Sequence, residues 1–212
     1  MIKDKKPVIA FDLHGVVFRP DYKEIARIIF AAPQKYKLFL SLLDPRFIIM
    51  MSSLIKKIAV PEEYIMKLSC AVPYLKKYVQ PGIALANAQK PQIETVKLIH
   101  QLKDQNIDLF VFSNIGERTY EQLVKKFPDI MGLFKGALVT SAQDNYIKKP
   151  HPQIFKKFAE QCHQDLNNLI FIDNKHKNIH AALQYGIDGI YFKNPHQLKE
   201  ELIRRNLIST AL

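Results

Sequence analysis

Four side chains stand out for the chemistry their types and placement could support: the carboxylates of Asp12 and Asp173, the hydroxyl of Ser113 and the ammonium of Lys149. Asp12 follows the apolar run Val8-Ile9-Ala10-Phe11, and Gly15 comes shortly after it. A continuous apolar run closed by a turn signal reads as a strand buried on both faces, as in a parallel sheet. A carboxylate at the C-terminal end of such a strand sits where open α/β sheets place their ligands. Ser113-Asn114 ends a second run from Leu109, Asp173-Asn174 ends another from Leu169, and Lys149 falls in a loop before a helix. Each has an ordinary alternative when taken singly. Asp12 reads as a cap for the next turn, Ser113-Asn114 as a turn or helix cap, Lys149 as a surface lysine beside Lys148, and Asp173-Asn174 as a cap. Four such groups at successive strand ends on one rim favour a site.

The elements that must position them follow from the apolar spacing. Strands are expected at Val8 to Phe11, Leu109 to Phe112, Ala137 to Thr140, Leu169 to Ile172 and Gly189 to Phe192. Helices are expected between them: Pro91 to Gln105, Tyr120 to Phe127, Pro152 to Cys162, His176 to Tyr185 and Pro195 to Asn206. This alternation specifies a doubly wound, mostly parallel five-stranded sheet of the α/β class. Residues 20–89 depart from it and read as an all-helical insert. Asp21 stands as the N-cap of a helix through Ile25, Ile28 and Ile29, Pro61-Glu62-Glu63 opens another, and Pro81-Gly82 punctuates the end. The division is therefore a core of 1–19 and 90–212 with a helical cap of 20–89.

With these residues in place, the chain resembles the haloacid dehalogenase-like superfamily over nearly its whole length. Phe11-Asp12-Leu13-His14-Gly15-Val16-Val17 looks like the family's first motif and Val111-Phe112-Ser113-Asn114 like its second. Lys148-Lys149-Pro150-His151-Pro152 looks like the third, and Phe171-Ile172-Asp173-Asn174 through Asn178 like the fourth. The resemblance implies a Rossmann-like core with the small helical cap of the first subclass, nearest to bacterial sugar-phosphate phosphatases. It also implies a Mg²⁺-dependent hydrolase acting on a small phosphomonoester, a sugar phosphate or similar metabolite. Asp12 would attack phosphorus to form an aspartyl-phosphate, splitting one hard step into two. Mg²⁺ would screen the repulsion between carboxylate and phosphate. Ser113 and Asn114 would bind the phosphoryl group or support its loop, and Lys149 would supply a compact positive charge. Asp12, the His14 backbone carbonyl, Asp173 and Asn174 would form the metal side.

Two positions depart from the family's pattern. His14 stands where the phosphatases usually carry the aspartate that protonates the leaving alcohol and activates water; an imidazole can do that work. Asn174 stands where the Asp-Asp form of the fourth motif places a direct metal ligand, so the metal site loses a charge. The alternatives are a catalytically impaired member that binds a phosphorylated ligand or partner and, ranked below it, a metal-free 2-haloacid dehalogenase. His14, His151 and His176 raise the weaker idea of a transition-metal site.

Composition narrows the partners. The chain has 212 residues, 48% hydrophobic and 24% charged, as expected of a globular protein with one large domain or one domain carrying an inserted smaller one. The net charge of +11 invites nucleic acid, but the lysines are spread along the chain and no aromatic-rich basic stripe appears, so no nucleic-acid partner is expected. The most apolar stretch, Phe47 to Val60, is broken by Ser52, Ser53, Lys56 and Lys57, and no run reaches the roughly 20 residues of a membrane span. No signal-peptide pattern precedes the first strand, which points to the cytoplasm. Cys70 and Cys162 lack metal-ligand spacing and read as reduced, partly buried thiols.

Overall fold

The computed structural model describes residues 6–32, 45, 66, 69–70, 73–141 and 147–209. Its centre is strand β1 (Val8–Phe11), fully buried because its residues alternate between two apolar layers. Ile9 and Phe11 pack on one face with Leu109, Val111, Ile170 and Ile172; Val8 and Ala10 pack on the other with Phe110, Phe112, Leu169 and Phe171. Every central strand repeats this two-residue alternation, which is why their sequences read as unbroken apolar runs.

After β1 come β2 (Phe18–Pro20), helix α1 (Tyr22–Ala31), a 3-10 helix (Pro73–Tyr78), α2 (Val79–Ala86) and β3 (Gln89–Pro91). The alternating half follows: α3 (Ile93–Asp104), β4 (Leu109–Gly116), α4 (Glu117–Lys126), α5 (Pro128–Met131), β5 (Gly136–Thr140), α6 (Pro152–Cys162), β6 (Leu169–Asp173), α7 (His176–Gln184), β7 (Asp188–Tyr191) and α8 (Pro195–Arg204). The sheet runs β5-β4-β1-β6-β7 with every pair parallel. Leu98, Ile99, Leu102, Leu198 and Leu202 bring α3 and α8 onto one face, and Ile154, Phe155, Phe158, Ile179 and Ala182 bring α6 and α7 onto the other. The chain turns back across β1, so the crevice at its C-terminal end is the switch point of the sheet.

Several expected boundaries shift. Gln89–Pro91 is a strand paired antiparallel with Phe18–Pro20, so the ends of residues 20–89 carry strand, and α3 begins at Ile93 rather than Pro91. β4 runs on through Ser113 and Asn114 to Gly116, with a register irregularity after Phe112. Pro81-Gly82 lies inside α2 rather than at its end, in the first turn, where a missing N–H does no harm. Asp21 does cap α1, accepting from the Lys23 and Glu24 amides at 3.2 and 3.4 Å. The stretch Phe47 to Val60 and most of the helix expected from Pro61 lie outside the described residues. Among the described residues, no helix is long and apolar enough to cross a membrane. Both cysteines are free. Cys70 is exposed rather than partly buried, and burial pushes the Cys162 thiol up to about 12.

Candidate active site

The three central strands end side by side, which gathers groups far apart in sequence. Asp12 leaves β1 with its amide donating to the Ile172 carbonyl at 2.9 Å, so its backbone continues the sheet for one residue. Its carboxylate is buried, and Oδ1 accepts from Ser113 Oγ at 2.7 Å and from Lys149 Nζ at 3.2 Å. Among the described residues, every hydrogen bond to this carboxylate goes to Oδ1.

Lys149 is the pivot. Its ammonium has three N–H donors, and three acceptors meet it: Asp12 Oδ1, Asp173 Oδ2 at 2.8 Å and the Phe112 carbonyl. It also lies over the rings of Phe112 and Phe171, at 4.9 and 4.6 Å from their centroids. The negative faces of the rings favour the cation there. Those rings belong to an aromatic floor in which Phe112 stacks on Phe158 at 4.5 Å and meets Phe155 edge-on at 5.5 Å. The lysine is thus held below by packing and above by charge. Asn114 fixes its backbone: Oδ1 accepts from the Lys149 amide and Nδ2 donates to the Lys149 carbonyl, both at 2.8 Å. Both ends of the Asn114 amide are therefore committed to the lysine loop.

Asp173 is buried at the end of β6. Oδ1 accepts from the Lys175 amide at 2.7 Å, and Oδ2 accepts from Asn178 Nδ2 at 2.8 Å as well as from Lys149. Two carboxylates around one ammonium leave one negative charge in excess. Beside them, Asn174 Oδ1 is buried without a hydrogen-bond partner among the described residues. An orphaned acceptor of this kind costs about 1–3 kcal/mol. Its amide nitrogen lies 2.1 Å from where a Cβ on Gly15 would stand, and Gly15 has φ +84°, so only glycine fits that turn. An unsatisfied amide oxygen beside two carboxylates that leave a surplus negative charge is a setting suited to a hard divalent cation. The residues present fit Mg²⁺.

His14 is half-buried in the turn after Asp12. Burial, the largest cause, holds its imidazole below the ordinary value; Asp12 opposes this and Lys175 adds to it. Its Nε2 meets the side-chain amide of Gln89, which arrives from β3. His151 is elsewhere employed, its Nδ1 accepting weakly from the Gln153 amide at 3.4 Å as the cap of α6. His176 stacks on Tyr191 at 3.6 Å between centroids. Among the described residues, no three His, Cys, Asp or Glu side chains gather as a metal cluster, which leaves the transition-metal idea without a site.

The sequence reading named Asp12, His14, Ser113, Asn114, Lys149, Asp173 and Asn174, and the structure places all seven at this end of the sheet. It missed Gln89 and Gln92. Gln92 Nε2 donates to the Gly15 and Val16 carbonyls at 3.0 Å each. No pattern around either glutamine announces a role. Asn178, quoted only as the end of the fourth motif, carries a signal: it follows Asp173 by five residues, and α7 turns it back onto that carboxylate.

Comparison with known proteins gives the family and the fold. The profile of the haloacid dehalogenase-like hydrolases matches residues 7–186. A sesquiterpene phosphatase of Aspergillus oryzae is 24% identical over 102 residues, covering 48% of this chain and 50% of that protein, so the match spans half the length of that curated relative. Among solved structures, a HAD family enzyme of Bacteroides thetaiotaomicron, crystallised as an alanine mutant with magnesium and inorganic phosphate, shares the fold at a TM-score of 0.60. It is 17% identical, over 89% of this chain and 95% of that chain. The L-2-haloacid dehalogenase of Xanthobacter autotrophicus with chloropropionic acid covalently bound has a TM-score of 0.62 and 13% identity, over 97% of this chain and 85% of that chain. A profile that covers most of the chain, over residues that converge on one buried site, places it: the chain belongs to the haloacid dehalogenase-like hydrolase family.

Proposed function

We propose that this hydrolase is a Mg²⁺-dependent phosphatase of a small phosphomonoester, a sugar phosphate or similar metabolite, working through an aspartyl-phosphate on Asp12. The observation that carries the reading is the asymmetric tethering of Asp12: Ser113 and Lys149 both hold Oδ1. Oδ2 is thereby the attacking atom, pre-aimed by the two bonds to its twin. Residues 20–89 act in this reading as the cap that closes over the substrate and excludes water.

Oδ2 of Asp12 bonds to phosphorus as the ester P–O bond breaks, and the leaving oxygen takes its proton from solvent water to depart as the alcohol. Ser113 then turns its hydroxyl from Asp12 to a phosphoryl oxygen, and Lys149 stabilises the charge spread over the transferring group. Asn114, Asp173 and Asn178 touch the lysine or its carboxylate partner and position it. Asp12 and Asn174, with the His14 carbonyl, would hold Mg²⁺, which when bound neutralises phosphate charge beside the carboxylate. Water next attacks the aspartyl-phosphate, releases inorganic phosphate and restores Asp12. His14 is the group at hand to take the proton from that water, because burial favours its uncharged ring.

Phosphate release from a panel of sugar phosphates, nucleotides and an aryl phosphate, with Mg²⁺ and with chelator, tests the reading. Asp12→Asn should retain the fold and lose turnover by at least about a thousandfold. Metal-dependent release that survives the substitution would overturn the nucleophile assignment. Chloride release from 2-haloacids without metal would move the chain to the dehalogenase branch. Binding of phosphorylated ligands without any release would make it a binding protein.

A further inference from the structure

We propose that Gln89 is a positioning residue for His14, carried on the strand by which the chain returns from residues 20–89 to the core. The inference rests on the phosphatase reading for its kinetic consequence and on geometry alone for the contact. Gln89 is buried at 6% exposure although its side chain is polar. Its amide reaches across 75 residues of sequence to Nε2 of His14.

The strand that carries Gln89 is held at several points. It pairs with Phe18–Pro20, with Gln89 opposite Pro20. The Gln89 carbonyl accepts from Lys126 Nζ at 3.1 Å, which ties it to α4, the helix that leaves the Ser113 strand. Three residues on, Gln92 grips the next part of the loop: its side chain donates to the Gly15 and Val16 carbonyls and its amide to the Val17 carbonyl at 2.8 Å. The return strand therefore clasps the whole turn that follows Asp12, and Gln89 is the part of the clasp that touches a ring.

A ring nitrogen engaged by a fixed partner determines which way the imidazole faces and what the other nitrogen can do. A primary amide suits both states of Nε2: its N–H end donates to a bare nitrogen, and a half-turn brings its oxygen to the same place to accept from Nε2–H. With Nδ1 serving the water, Nε2 keeps its hydrogen before and after the proton transfer, so Gln89 holds the ring in one orientation by accepting from Nε2–H through its amide oxygen. Because its strand forms one side of the ribbon leading into and out of residues 20–89, a shift of that ribbon moves the amide against the ring.

The test uses the full chain with Gln89→Leu, which removes the amide, and Gln89→Glu, which keeps length and accepts from Nε2–H. Each is paired with a melting curve and with ¹⁵N spectra of the histidine ring nitrogens, assigned through His14→Asn. We expect Gln89→Leu to change the His14 nitrogen shifts toward an average of the two tautomers and to lower kcat about tenfold with KM within twofold. Gln89→Glu should hold His14 as the Nε2–H tautomer and keep kcat within about threefold of the parent. His14 shifts unchanged in Gln89→Leu would overturn the proposal, as would an unchanged kcat or a Gln89→Glu variant as slow as Gln89→Leu. If the parent chain releases no phosphate, the phosphatase reading fails by itself, and the ring-nitrogen shifts alone decide on Gln89.

Discussion

Among the described residues, two places set one cation between two carboxylates. In the site, Lys149 stands between Asp12 and Asp173, with side-chain exposures of 1%, 5% and 0%. At the end of α8, Arg205 stands between Asp188 and Glu201, with exposures of 17%, 45% and 29%. The outer group is rich in bonds: Nε and an Nη of Arg205 reach the two oxygens of Asp188 at 2.9 and 3.3 Å, and another Nη reaches Glu201. Arg204 first, then Arg205, holds the Glu201 carboxyl below its ordinary range, with burial opposing. Geometry of this quality fastens β7 to the end of α8, yet water screens it and its worth is small. The inner group has an ammonium with each N–H matched and no water to take over if a partner is lost. Equal stoichiometry thus yields a surface clip in one place and an irreplaceable part in the other, and burial makes the difference.

The comparison breaks most visibly at its inner cation. Lys149→Met leaves two buried carboxylates facing each other, so it should destabilise the fold by about 3–5 kcal/mol in denaturant titration and abolish phosphate release. A variant as stable as the parent would mean that the buried pair carries no special weight. Asn174→Asp sharpens the inner group instead, by supplying a charged oxygen where an unsatisfied one stands. The Mg²⁺ concentration for half-maximal rate should fall by about tenfold, read in a metal titration of phosphate release. At the outer group, Arg205→Met should cost no more than about 1 kcal/mol in thermal unfolding, and the loss should shrink in 1 M salt.

The same contrast between buried and exposed explains what the sequence discloses. The strands from Val8, Leu109 and Leu169 are legible because burial on both faces demands unbroken apolar runs, and a polar residue closing such a run is conspicuous. Asp12 and Asp173 are found in this way, and Ser113 nearly so, although β4 continues past it. What the sequence conceals is contact across long separations between residues of ordinary type. Nothing local to Gln89 distinguishes it from the exposed glutamines, and its partner lies beyond the whole of the insert. The reciprocal bonds between Asn114 and Lys149 are hidden likewise, since a polar residue at a strand end reads equally well as a cap. Much of the stretch from 20 to 89 falls outside the described residues, so the helices expected there stay as the sequence left them.

The small ribbon of Phe18–Pro20 and Gln89–Pro91 has a consequence of another kind. Paired strands lie about 5 Å apart, so the chain departs from the core and rejoins it at practically one point, Pro20 facing Gln89. Whatever is threaded between those two residues can be lengthened, shortened or exchanged without altering the path of the sheet. Because the two ends of that segment already lie side by side, each doubling of the intervening length costs only about 0.6 kcal/mol more in loop closure.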